Sequence, residues 1–89
     1  MGNMEERAYH VLAIWIDSAR LANKMMEDAS QKSFDEFNAA VQKYATIRVK
    51  VKGAIDFATF TMGITCGELA DKLESEFGIS RDDFNMVNR

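Results

Sequence analysis

Apolar side chains recur every three or four positions along residues 5–30. The stripe they form consists of Ala8, Leu12, Trp15, Ala19, Ala22, Met26 and Ala29. His10 and Lys24 fall on the opposite side. Glu5 and Glu6 lie where the positive end of a helix dipole favours acidic groups. This spacing predicts a long amphipathic helix over residues 5–30.

A strand is the alternative for part of this segment. The run AYHVLAIWI contains the β-branched residues Val11, Ile14 and Ile16, which are typical of strands. The apolar spacing continues well beyond Ile16, and for that reason the helix is the preferred interpretation.

A capping box marks the start of a second predicted helix. Ser33 and Glu36 are three residues apart, so each side chain can satisfy a backbone N–H of the first turn. One face behind them is apolar, and it carries Phe34, Phe37, Val41 and Tyr44. A helix is therefore expected over about residues 34–45.

The apolar period changes at Thr46 from that of a helix to that of a strand. From there Ile47, Val49 and Val51 alternate with Arg48, Lys50 and Lys52. Strict alternation predicts a strand with one buried and one solvated face. Gly53 would supply a turn, and AIDFATFTM would return as the second strand of a β-hairpin.

A third helix follows the predicted hairpin. Thr65 and Glu68 repeat the capping-box spacing, and Gly78 is suited to end the helix in a left-handed conformation. The inward stripe between them is Leu69, Leu73 and Phe77. This helix is expected to cover the sheet.

Residues 47–88 resemble the first half of the ubiquitin-like β-grasp fold, and in particular its PB1 branch. The resemblance rests on the hairpin, the helix capped by Thr65 with its ELADKL segment, and the Gly78-Ile79 exit. It implies that SRDDFNMV forms a short acidic loop and a third strand, with Phe84 and Met86 at the buried positions. The expected fold is therefore α+β, of order ααββα(β). The chain would form one domain, residues 1–89, with a helical part, 1–45, and a β-grasp-like part, 46–89.

Cys66 is the only cysteine and His10 the only histidine of the chain. A cysteine nucleophile needs a base within hydrogen-bond reach, and His10 is predicted to lie on the polar side of a distant helix. One cysteine and one histidine also leave a zinc site two ligands short. Cys66 is therefore expected to be a buried structural residue. No catalytic residue, metal or cofactor is expected, and a thiol-dependent enzyme is the weakest alternative.

Composition excludes further classes of function. The formal net charge is −3 and 47% of residues are apolar, which is typical of a folded domain. Arg48, Lys50 and Lys52, which we call the basic ladder, are few, and the chain as a whole is acidic, so nucleic-acid binding is not expected. The run VLAIWI is too short to span a bilayer, so no membrane contact is expected. A single cysteine is consistent with a cytoplasmic location.

These features favour a non-enzymatic protein–protein interaction module that associates with itself. A helix of about 25 residues would be about 37 Å long, against about 30 Å for a small domain, so part of it should overhang. The expected contact residues on this helix and on the basic ladder are Leu12, Trp15, Ala19, Ala22, Met25, Met26, Arg48, Lys50 and Lys52.

Two purely structural interpretations of the same residues stay open. The helix could simply wrap its own chain, and the ladder could protect an exposed strand edge from aggregation rather than bind an acidic partner. The alternative function is a small phage-type inhibitor that binds and blocks a host enzyme.

Overall fold

A computed structural model describes residues 4–89 of the chain. Within these residues it contains four helices and no strand. The helices are α1, Met4–Ala29; α2, Phe34–Met62; α3, Cys66–Phe77; and α4, Arg81–Val87. The fold is therefore all-α, and the prediction of an α+β fold is wrong.

The two long helices form an antiparallel hairpin. The start of α1 lies beside the end of α2, where Val11 lines the same groove as Phe57. At the other end, Met25 lies beside Ala40. The hairpin makes the molecule elongated, with extents of 44 × 26 × 20 Å. Helices α3 and α4 pack against both long helices.

The main core lies where α3 and α4 cover the hairpin. Its largest fully buried side chains are Leu12, Ile16, Val51, Ile55, Leu69, Leu73 and Val87. Toward the tip of the hairpin, the buried residues outside this core cluster are Ala22, Ala29 and Ala40. Small side chains bury little apolar area, so most of the hydrophobic stabilisation is concentrated at the covered end.

The starts of α2 and α3 and the end of α3 follow the predicted local signals. The Ser33 hydroxyl accepts a hydrogen bond from the Glu36 N–H at 3.2 Å, and the Thr65 hydroxyl accepts one from the Glu68 N–H at 3.1 Å. Gly78 ends α3 in the left-handed region at φ 72°. These caps and the predicted long first helix are confirmed. The strand alternative for AYHVLAIWI is excluded, because α1 runs through it without interruption.

The predicted β-hairpin over residues 46–62 is wrong, because this segment continues α2. The fully buried Val51 and Ile55 are four residues apart, and Ala58 follows after three. Val49, which alternation placed on the buried face, is 72% exposed. Burial against α1 and α3 therefore outweighs the strand preference of the β-branched residues. Gly53, the predicted turn, lies exposed inside the helix.

The predicted third strand is also wrong, and the resemblance to the ubiquitin-like fold fails with it. The Ser80 hydroxyl accepts a hydrogen bond from the Asp83 N–H at 3.2 Å and starts α4. Phe84 is buried as expected, but its buried neighbour is Val87, three residues on, while Met86 is only partly buried. A spacing of three is that of a helix face, whereas a strand would bury alternate residues.

Removing the cap of α3 offers a test of this local structure. We expect Thr65→Ala to lower the free energy of unfolding by about 0.5–2 kcal/mol, because the Glu68 N–H loses its acceptor. This corresponds to a fall in melting temperature of roughly 4–8 °C per kcal/mol. Thermal and urea denaturation followed by circular dichroism would measure it. Thr65→Ser keeps the hydroxyl and should stay near the parent, and equal stability of all three proteins would contradict the cap.

Candidate interaction surface

Helix α1 carries a second apolar face that no other helix covers. Large exposed side chains lie along it at three-four spacing, and they are Met4, Val11, Ile14, Leu21 and Met25, between 49% and 86% exposed. Arg7 and Ser18 occupy the two remaining positions of the series. We call these seven residues the outer stripe. Such a long exposed apolar series is unusual on a monomeric protein and typical of a contact surface.

Helix α2 widens this surface at the N-terminal half of α1. Phe57 is 71% exposed and borders a groove together with Met4 and Val11. Ala8 and Ala54 also line it, so the floor is made of small apolar side chains. We call this the Phe57 groove. Arg7 is its one charged lining residue, so the groove is suited to an apolar side chain from another molecule.

The predicted contact residues of α1 are divided between its two apolar faces. Leu12, Ala19 and Ala22 are buried in the protein's own core. Trp15 and Met26 are partly buried. Of the predicted set on α1, Met25 belongs to the outer stripe.

Sequence reasoning missed Val11, Ile14 and Leu21 on the outer stripe. Their signal was present, because they are three and seven residues apart, as positions on one face of a helix are, at places shifted from the core stripe. The prediction rests on the first apolar series alone. A helix with two apolar series needs two partners, and here α2 supplies only one of them.

The three residues of the basic ladder, Arg48, Lys50 and Lys52, do not lie on one face of α2. Arg48 and Lys52, one helical turn apart, both donate to the backbone oxygen of Arg89, at 2.6 Å and 3.0 Å. Lys50 points elsewhere, with its ammonium 5.5 Å from the centre of the Trp15 ring, a cation–π contact. The helical period separates residues that a strand would have aligned.

Cys66 is exposed at the first turn of α3, so the expectation that it is buried is wrong. His10 makes an edge-on contact with Phe77, with ring centroids 4.8 Å apart. Phe77 is at the other end of α3, about 16 Å from Cys66 at 1.5 Å per residue. The thiol and the imidazole are therefore not placed for nucleophile–base chemistry.

Ion pairs hold α4 on the body of the protein. The Arg20 Nε lies 3.6 Å from an Asp17 carboxylate oxygen and 3.7 Å from one of Asp83, which joins α1 to α4. Arg81 pairs with Asp71 and joins α4 to α3. These pairs are exposed and contribute modestly to stability, but they fix which side of the hairpin α4 occupies.

Residues 4–89 contain no group of three or more side chains arranged to hold a metal ion. None of the helices described is long and apolar enough to cross a membrane. No family model, curated protein or solved structure matches this chain.

Proposed function

We propose that the chain is a non-enzymatic protein–protein interaction module that associates with itself through the outer stripe of α1 and the Phe57 groove. The observation that carries the proposal is the outer stripe itself, in which five of seven positions at three-four spacing along α1 hold large exposed apolar side chains. This spacing is that of a helix that packs against a second helix on the exposed side. The function expected of the long helix is retained, but it is assigned to the outer stripe, which shares only Met25 with the contact residues predicted on α1.

Burial of this surface would supply free energy of the same order as the cost of association. Six large apolar side chains per copy, those of the outer stripe and Phe57, are about half exposed or more. Burying the remaining exposed part of each contributes about 1 kcal/mol, or roughly 12 kcal/mol for two copies. Association itself costs about 4–15 kcal/mol. We therefore expect a dissociation constant in the micromolar range or weaker, of the order of 1 µM to 1 mM.

Ile14→Glu tests the proposal. Ile14 is 66% exposed, so the change should leave the fold intact, while a dimer would have to bury a carboxylate from each copy in an apolar seam. We expect the association constant to fall about tenfold or more, a change of at least 1.4 kcal/mol. Sedimentation equilibrium and light scattering between about 10 µM and 1 mM would cover the expected range.

Val49→Glu is the matched control. Val49 is also β-branched and is 72% exposed, but it lies on α2 outside the outer stripe and the Phe57 groove. Its association should equal that of the parent. A parent chain that stays monomeric over the whole concentration range would contradict self-association, and equal weakening by both variants would contradict the assignment to α1.

A further inference from the structure

We infer that the outer stripe binds the α1 helix of a second copy, and that the two helices run antiparallel about a two-fold axis near Asp17. This inference rests on the proposed function and adds the identity and direction of the occupant. The stripe runs from Met4 to Met25, about 32 Å at 1.5 Å per residue, along a molecule 44 Å long. A single long helix can cover the stripe over this length, and α1 of a second copy is such a helix.

Charges at the two ends of the stripe favour the antiparallel direction. Arg7 lies near the N-terminal end, and Asp28 takes the next position of the series after Met25. Both are exposed, and neither has an ion-pair partner among residues 4–89. Parallel pairing would place Arg7 of one copy beside Arg7 of the other, so that like charges meet. Antiparallel pairing places Arg7 beside Asp28 of the second copy at both ends, so the stripe is complementary to itself.

The middle of the stripe can be covered without leaving a polar group unsatisfied. Ser18 is its only uncharged polar residue, and the Ser18 hydroxyl donates to the Ile14 backbone oxygen at 3.0 Å. Its hydrogen bond is therefore made inside its own helix and survives burial. Asp17, beside the proposed axis, pairs with Arg20 of its own chain, which offsets the repulsion between two copies of Asp17.

The same axis places apolar residues of each copy over the groove of the other. Leu21 and Met25 are beyond the axis, so they would lie across the N-terminal half of the second α1, where Val11 and Phe57 border the groove. Two-fold symmetry repeats this contact, and both grooves are filled at once. Such an interface uses one surface twice and closes as a dimer.

Spin labels at three positions test the direction. His10, Asp17 and Lys24 are exposed, seven residues apart, and lie on one flank of the outer stripe. Each is replaced in turn by a labelled cysteine in a Cys66→Ser background, and double electron–electron resonance measures the distance between copies. We expect the shortest distance at residue 17, and separations along the axis of about 20 Å at residues 10 and 24, because 1.5 Å per residue accumulates on both sides of the axis.

The alternatives give different results. Equal short distances at all three positions indicate a parallel pair and overturn the inference while leaving the proposed function standing. Absence of any distance between copies at concentrations up to about 1 mM overturns both.

Charge reversal gives a second measurement of the same contact. Arg7→Glu and Asp28→Arg should each weaken association about three- to tenfold, because each puts like charges together at both ends. The double variant restores opposite charges and should recover most of the loss. A double variant weaker than either single one would contradict the pairing of Arg7 with Asp28. Circular dichroism of each variant would confirm that the helices are retained.

Discussion

Replacing Ile55 by alanine is expected to lower the free energy of unfolding by about 2–5 kcal/mol. Ile55 is fully buried in the C-terminal half of α2, where the hairpin is covered by α3 and α4, so the change leaves a cavity that the rigid surroundings fill only in part. A domain of this size is stabilised by only about 5–15 kcal/mol in total, so the effect is large. Urea denaturation followed by circular dichroism would measure it.

Val49→Ala is the control, and it also distinguishes the helix from the predicted hairpin. In the helix, Val49 is 72% exposed, and alanine is the better helix former, so stability should stay unchanged or rise by a few tenths of a kcal/mol, about 0.5 at most. In the predicted strand, Val49 would share a buried face with Val51. A loss of more than about 1 kcal/mol in Val49→Ala would therefore contradict a continuous α2.

Phe84→Ala is expected to lower the free energy of unfolding by about 3–5 kcal/mol. If α4 detaches as a whole, the loss is limited to the free energy that holds this helix on the body. Helix α4 has only seven residues, far too few to be stable in isolation, and Phe84 is its largest buried side chain. Denaturation would give the loss of stability. Hydrogen exchange would show whether the amides of α4 lose protection while those of α1 keep theirs.

Asn85→Ala serves as the matched control for α4. Asn85 is exposed on the same short helix, so its replacement should change stability by less than about 0.5 kcal/mol. Loss of protection in α4 in both variants would mean that Phe84 does not hold this helix on the body.

The parts of the fold that sequence could predict are those set by short-range signals. The start of α2 at Ser33 and of α3 at Thr65, and the end of α3 at Gly78, depend on hydrogen bonds and backbone geometry within a few residues. The predicted hairpin failed because Ile47, Val49 and Val51 alternate with basic residues, while burial in the folded protein follows a spacing of four. Which period prevails is decided by α1 and α3, which are distant in sequence.

The candidate surface was predicted only in its general place. The long N-terminal helix was identified, but it has two apolar faces, and sequence alone does not say which one α2 occupies. Alanines at positions 19 and 22 are buried and permit close approach of a neighbouring helix, and the helix against which α1 packs most extensively is α2. The larger Ile14 and Leu21 were left outside. Which apolar face of α1 packs against α2 depends on how the surfaces of the two helices fit together, and the spacing of residues along α1 alone does not determine this fit.

The alanine-rich tip of the hairpin has a consequence for dynamics. Ala29 and Ala40 bury little area and α3 and α4 do not cover them, so the tip should open at a lower free energy than the covered end. In the proposed antiparallel dimer, Leu21 and Met25, which lead into this tip, would lie on the well-packed half of the other copy. Each chain would thus stabilise the tip of its neighbour. Because the fraction of dimer rises with protein concentration, the order of the tip would rise with it.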